Sequence, residues 1–235
     1  GLTGKVDPYK LGVGPFPGEI YHAPYPCALH GISVEDAIHG IELLFKNDIE
    51  ARRVAAFIVE PVQGEGGYYP APAEFLQRLR ALADKHGILL IADEIQSGIG
   101  RCGKMFAIEH AGVVPDLMTL AKGLGGGFPV AAVVGRAEVM DALAPGGLGS
   151  TYAGAPMACA AALAVLDVME EEKLGERALA IGEHMQRRLR DLAVRHECIG
   201  DVRGLGAMVA VEFFHDGDHA RPAPEIAKAV IAAAL

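Results

Sequence analysis

The sequence predicts an α/β protein: a central, mostly parallel sheet flanked by helices, joined to part of a smaller α+β domain. Three observations predict it. Between Val54 and Ala92 an apolar run, a bounded amphipathic helix and a second apolar run follow one another, the order of a right-handed crossover between parallel strands. Two more short apolar runs bracket a glycine-rich segment between Asp116 and Gly135. Hydrophobic residues make up 51% of the 235 residues and charged ones 22%, which supplies a core and excludes wholesale disorder.

Each element has its own signal. VAAFIVE, Val54 to Glu60, is apolar and partly β-branched and runs into Pro61 and a Gly-rich turn, so it reads as a buried strand closed by Glu60. From Ala73 to His86, Phe75, Leu76, Leu79, Leu82 and Ala83 recur at helical spacing between Pro72 and Gly87, which bounds an amphipathic helix at both ends. Ile88 to Ala92, Asp116 to Ala121 and Val130 to Gly135 read as further strands, and Ala137 to Leu143 as a brief helix. Pro156 to Glu172 is an Ala-rich helix expected to be buried. Glu176 to His196 carries an apolar stripe of Ala178, Ile181, Met185, Leu189 and Leu192. Beyond Gly200 the texture breaks at Asp201 to Gly204, then Ala207 to Phe214 reads as a strand and Ile226 to Leu235 as an apolar helix. The division between the two domains is expected near residue 173, giving 1–172 and 173–235.

Charge and cysteine content narrow the function. Lys and Arg number 21 against 30 Asp and Glu, a net charge of -9, which leaves no basic footprint for nucleic acid. The four cysteines, at 27, 102, 159 and 198, form no CxxC pair, so a reducing cytoplasm is expected. The uncharged stretch Ala142 to Leu166 is interrupted by Pro145, Pro156 and several glycines, so a loop and helix are expected there and no membrane span. The histidines show no HExxH, and there is no GxSxG elbow and no P-loop; no metal site is expected.

Four places can carry chemistry. Asp93 and Glu94 directly follow an apolar strand, at the carboxyl edge where open parallel sheets collect ligands; the alternative is a turn-capping Asp93 and a solvated Glu94. Gly98, Gly100 and Gly103 fit GxGxxG, but several residues separate them from the strand and no acidic residue ends a second strand about twenty residues on, so a dinucleotide site is disfavoured. Lys122 stands between an apolar strand and Gly123, Gly125, Gly126 and Gly127. A lysine desolvated there would offer a neutral amine able to form a Schiff base with an aldehyde; the alternative is a solvated loop lysine. Thr151, in GLGSTYAG before the Pro156 helix, lies where hydroxyl and backbone amides can hold a phosphate.

Taken together, ADEIQSGIGRCGK from Ala92, PDLMTLAKGLGGGFPVAAVVG from Pro115 and GGLGSTYAGAPMA from Gly146 resemble the class III, fold-type I pyridoxal-phosphate aminotransferases, and VEPVQGEGGY from Val59 resembles their 4-aminobutyrate branch. The resemblance runs from Gly4 to about Ala210. It implies that Lys122 forms the Schiff base with pyridoxal 5'-phosphate and later moves a proton as general base and acid. It implies that Asp93 pairs with the pyridine nitrogen and keeps the ring an electron sink, that Ile95 packs on the ring face, and that Gln96 reaches the 3-hydroxyl. Thr151 would bind the cofactor phosphate of a partner subunit, so a homodimer is implied. Glu65 matches a glutamate that pairs with a carboxy-terminal arginine and lets one pocket accept either an amine or a carboxylate. That arginine, the upstream phosphate clamp, the ring-stacking aromatic and an upstream substrate arginine have no counterpart here. Ile95 replaces the usual Val, Cys102 a Thr and Ala155 an Asn.

The implied reaction moves the amino group of 4-aminobutyrate to 2-oxoglutarate, giving succinic semialdehyde and glutamate. Ornithine, acetylornithine or 5-aminovalerate would use the same chemistry. Residues 1–172 would be most of the cofactor-binding large domain and 173–235 part of the small one, within a longer parent. A non-catalytic core or dimerisation module is the rival reading of the chain on its own.

Overall fold

The computed structural model describes residues 1–234; the last residue of the expected apolar helix, Leu235, lies outside the described residues. Its elements are α1 (Val34–Asn47), β1 (Ala56–Val59), α2 (Ala73–His86), β2 (Leu89–Asp93), β3 (Leu117–Leu120), β4 (Ala132–Gly135), α3 (Ala137–Met140), α4 (Pro156–Glu171), α5 (Leu174–Ala193), β5 (Ile199–Leu205), β6 (Met208–Phe213) and α6 (Pro224–Ala234).

Four strands form one sheet in the order β1-β2-β3-β4. The first three are parallel, with Val59 opposite Ala92 and Asp93 opposite Thr119, and β4 returns antiparallel with Thr119 opposite Val133. The mostly parallel α/β sheet is therefore present. The crossover helix α2 begins after Pro72 and ends at Gly87, which takes the left-handed φ of +69° that favours glycine. Its Phe75, Leu76, Leu79 and Ala83 are buried against Ile38 and Ile41 of α1 and Leu90 and Ala92 of β2. α1 itself is started by a reciprocal cap, Ser33 Oγ accepting from the Asp36 N–H while the Asp36 carboxylate accepts from the Ser33 N–H.

β5 and β6 form a separate antiparallel hairpin against α5. The hairpin joins the sheet unit through glycines. The Ala207 N–H donates to the Arg101 carbonyl at 2.9 Å, and a Cβ at Gly206 would overlap Cys102. Gly100 and Gly103 face Met169 and Leu179 in the same manner and take φ of +77° and +92°. The GxGxxG spacing thus serves tight turns and close packing, and no α-helix opens after it.

Three expectations change. Asp201 to Gly204 belongs to a strand, β5, because its polar residues pair across to β6. α4 buries only Met169, since it packs chiefly on the Lys122 turn and α5. In α5, Ala178 is buried but Ile181 and Met185 are exposed. No helix among the described residues is long and apolar enough to cross a membrane.

Candidate functional site

Three strand ends meet along the carboxyl edge of the sheet. Glu60 follows β1, Asp93 ends β2, and Lys122 stands two residues after β3. Parallel neighbours direct all three ends to one edge, where ligands of open α/β sheets bind.

Asp93 is held on one oxygen. Its Oδ1 accepts from the Ile95 N–H at 3.1 Å and from the Thr119 hydroxyl at 3.0 Å; Thr119 is its register partner on β3. No group among the described residues donates to Oδ2. Glu94, next in the chain, is not solvated. It is fully buried, its Oε2 accepting from Ser97 Oγ at 2.5 Å and its Oε1 from the Ile108 N–H at 2.8 Å. Burial pushes its carboxyl above the usual range, and the Ser97 and backbone donors oppose that. Glu94 is a structural residue that pins the 94–108 loop.

Lys122 takes a left-handed φ of +46° and opens a short 3-10 turn, Lys122–Gly125. For a residue with a Cβ this costs roughly 1–2 kcal/mol. Its amine has no hydrogen-bond or ion-pair partner among the described residues, and the side chain is exposed rather than desolvated. Lys122 lines a cavity of ≈ 330 Å³ with Tyr68, Gln96, Ile99, Arg101 and Met208 among its walls. Of six non-glycine residues with positive φ among the described residues, three line this cavity: Tyr68 at +56°, Ile99 at +52° and Lys122. Backbone strain gathered at one cavity makes it the candidate functional site.

Gln96 supplies the second mark. Its Oε1 is buried without a partner, and a buried acceptor left unpaired costs about 1–3 kcal/mol. A Cβ at Gly64 would overlap that oxygen, so glycine at 64 keeps room for it. An acceptor orphaned in the wall of a cavity fits a ligand hydroxyl there. Glu60 is partly buried, which pushes its carboxyl up; the Gly64 N–H, donating at 2.7 Å, pulls it down. Asp93 and Lys122 then act on it in opposite directions, which places both within electrostatic reach of one carboxylate.

The sequence-predicted residues divide. Gln96 and Lys122 line the cavity; Asp93, at the end of β2, and Ile95, in the turn after it, are not among its lining residues. Glu65 is exposed and paired with Lys5 at 3.1 Å; its carboxyl is lowered first by Lys5 and, more weakly, by Lys122. Thr151 is exposed in a turn before α4 and does not line this cavity. Tyr68, Ile99 and Glu60 were not singled out from sequence as site residues. Glu60 carried the same signal as Asp93, a carboxylate at a strand end; the backbone strain at Tyr68 and Ile99 carried none.

Residues 1–235 match the family model described as aminotransferase class-III, and the chain belongs to that family. It is 59% identical over 231 residues to the 5-aminovalerate aminotransferase DavT of Pseudomonas aeruginosa, covering 98% of this chain and 54% of the relative. It is 58% identical over 233 residues to the 4-aminobutyrate aminotransferase GabT of Escherichia coli, covering 99% and 55%. The ornithine aminotransferase of Toxoplasma gondii, whose structure has pyridoxal phosphate partially occupying its active site, superposes with a TM-score of 0.79 at 38% identity, over 90% of this chain and 47% of that one. The chain spans about half the length of the curated relatives it matches.

Proposed function

We propose that the whole protein is a pyridoxal-phosphate-dependent transaminase that moves the amino group of 4-aminobutyrate to 2-oxoglutarate, giving succinic semialdehyde and glutamate. One observation carries the reading: an unpartnered, strained lysine shares a cavity with the orphaned Gln96 Oε1, beside a carboxylate with one free oxygen. When bound, pyridoxal 5'-phosphate supplies an aldehyde that condenses with amines and a ring that accepts an electron pair from a deprotonated carbon. The residues here fit it. Asp93 Oδ2 would accept from the protonated ring nitrogen and keep it charged. Gln96 Oε1 would accept from the ring hydroxyl, and Ile95 would pack on the ring face. Lys122 Nζ would hold the aldehyde carbon covalently; once displaced by the substrate amine, it would take the proton from the substrate carbon and later return it.

Glu65 we assign to the substrate pocket, its exposed carboxylate free to exchange Lys5 for a substrate ammonium group. Thr151 we assign to a partner subunit's cofactor site in a homodimer, supported by its exposure and by the exposed Met157 and Leu163 of the adjoining α4. We keep the division near residue 173, supported by the change from the four-stranded sheet, which ends at Gly135, to the hairpin unit, which begins at Ile199. We keep the cytoplasm as its place, supported by four free cysteines.

5-Aminovalerate is the second reading, supported by the DavT likeness. It is one methylene longer, a difference worth about 1–3 kcal/mol in a fitted pocket. The test is kcat/KM of the full-length protein for each amine with 2-oxoglutarate. A higher value for 4-aminobutyrate is expected; a preference for an α-amino acid would overturn both readings.

A further inference from the structure

The Lys122 cavity lies in a seam between two units. Most of its wall comes from the sheet unit, but Ala207 and Met208 come from the hairpin side. Tyr68 comes from the Gln63–Tyr69 turn, which bonds to itself through Gln63 N–H to the Tyr69 carbonyl at 3.0 Å and Gly67 N–H to the Gly64 carbonyl at 3.2 Å. Two consecutive residues of that turn, Gly67 at φ +117° and Tyr68 at +56°, are left-handed. Such a conformation persists only where its surroundings impose it.

One side chain reaches it from the hairpin, while Tyr25 Oη donates to the Tyr69 carbonyl at 3.3 Å and His30 Nε2 lies 2.9 Å from the Tyr69 hydroxyl. Arg203, on β5, donates from Nε and Nη2 to the Gly67 carbonyl at 2.9 and 2.6 Å. Its guanidinium lies 3.6 Å from the centre of the Tyr69 ring. Its Nη1 is anchored by Asp201 at 2.6 Å and Glu212 at 2.8 Å, and Glu212 also accepts the Tyr69 hydroxyl. The groups on both sides of Tyr68 are thus bridged by one planar cation, itself only 14% exposed. Lysine, a point charge, cannot supply the forked hydrogen bond and the stacking together.

We propose that Arg203 is a positioning residue: from the hairpin it clamps Gly67 and Tyr69, and so sets where Tyr68 stands in the Lys122 cavity and how closely that cavity fits a substrate amine. The part concerning substrate rests on the transaminase reading; the clamp does not. The test is Arg203→Lys in the full-length protein, read by amide hydrogen exchange and by steady-state kinetics with 4-aminobutyrate. Exchange at residues 63–71 is expected to rise about tenfold while β1 and β2 keep their rates, because only the turn loses its hold. KM is expected to rise about tenfold with kcat within about twofold, since Lys122 and Asp93 are untouched. Unchanged exchange in the turn, or a fall in kcat at constant KM, would overturn the proposal. Should Arg203→Lys not fold, Glu212→Gln carries the test: the same segment must loosen by about threefold, and no change there sinks the clamp. A wild-type protein inactive on ω-amines would defeat the transaminase reading and leave the exchange measurement to decide the clamp alone.

Discussion

Asp93 and Asp116 are two carboxylates at opposite ends of the same pair of parallel strands, and their surroundings are opposite too. Asp116, just before β3, has both oxygens occupied: Oδ2 accepts from Arg80 at 2.6 Å and the Leu90 N–H at 2.7 Å, and Oδ1 from Arg136 at 2.8 Å. Its side chain is 5% exposed. Burial alone would raise its carboxyl, but Leu90, Arg80 and Arg136 overcome that and hold it at about 2. Asp93, at the other end, keeps both donors on Oδ1 and leaves Oδ2 open. The amino edge of the sheet spends its charge on holding the strands; the carboxyl edge keeps hydrogen-bonding capacity for a ligand. On the proposed reading, stability and chemistry are separated by strand direction.

Lys122→Gly is the hardest test of that separation. Turnover should fall by at least about a thousandfold, since the proposed covalent anchor and proton carrier go together. The fold should keep its stability or gain up to about 1 kcal/mol in a denaturant titration, because glycine relieves the left-handed strain. A clear loss of stability would mean that the carboxyl edge is structural after all.

Two isosteric changes then break the comparison directly. Asp116→Asn should cost about 2 kcal/mol of stability, because it leaves the Arg80 and Arg136 guanidinium groups and the Leu90 amide short of a charge, while kcat/KM of the folded fraction stays within about twofold. Asp93→Asn should do the reverse, lowering kcat about a hundredfold with little effect on the melting midpoint. If both substitutions moved the same observable, the division between the edges would fail.

The pH dependence follows with a definite sign. Asp116 is depressed from its ordinary 3.8 to about 2, so its contribution of about 2 kcal/mol is complete above the higher value and drains away as pH falls toward the lower. Wild-type and Asp116→Asn unfolding free energies should therefore converge between those values. A gap that persists at pH 2 would mean that packing, and not charge, holds Arg80 and Arg136.

Much of the frame was legible because its signals are local. Pro72 and Gly87 bound α2, apolar runs mark β1 to β4, and strand ends point to Asp93 and Lys122. The Ser33 to Asp36 capping box is equally local, yet α1 was not among the elements expected from the sequence. β5 was hidden because Asp201, Arg203 and two glycines interrupt the apolar alternation that marks a strand, and its pairing comes from β6. The Arg203 clamp joins residues 136 apart in the chain, and the strain at Tyr68 and Ile99 is a property of the backbone that no residue type announces. The desolvation expected of Lys122 needs neighbours that the described residues do not supply.

Thr119→Val gives the smallest effect and the sharpest placement. The change keeps the β-branched shape that suits β3 and removes only the hydroxyl on Asp93 Oδ1. The Ile95 N–H remains, so the carboxylate should stay in place but swing more freely about it. Since Thr119 never touches the amine at Lys122, kcat should fall only about three- to tenfold. Affinity for pyridoxal phosphate, read by absorbance titration, should weaken in step, because the same oxygen pair would orient the ring nitrogen. An unchanged affinity with a lowered kcat would place Thr119 in the proton-transfer step, and a drop in stability without either would move Asp93 to the structural edge beside Asp116.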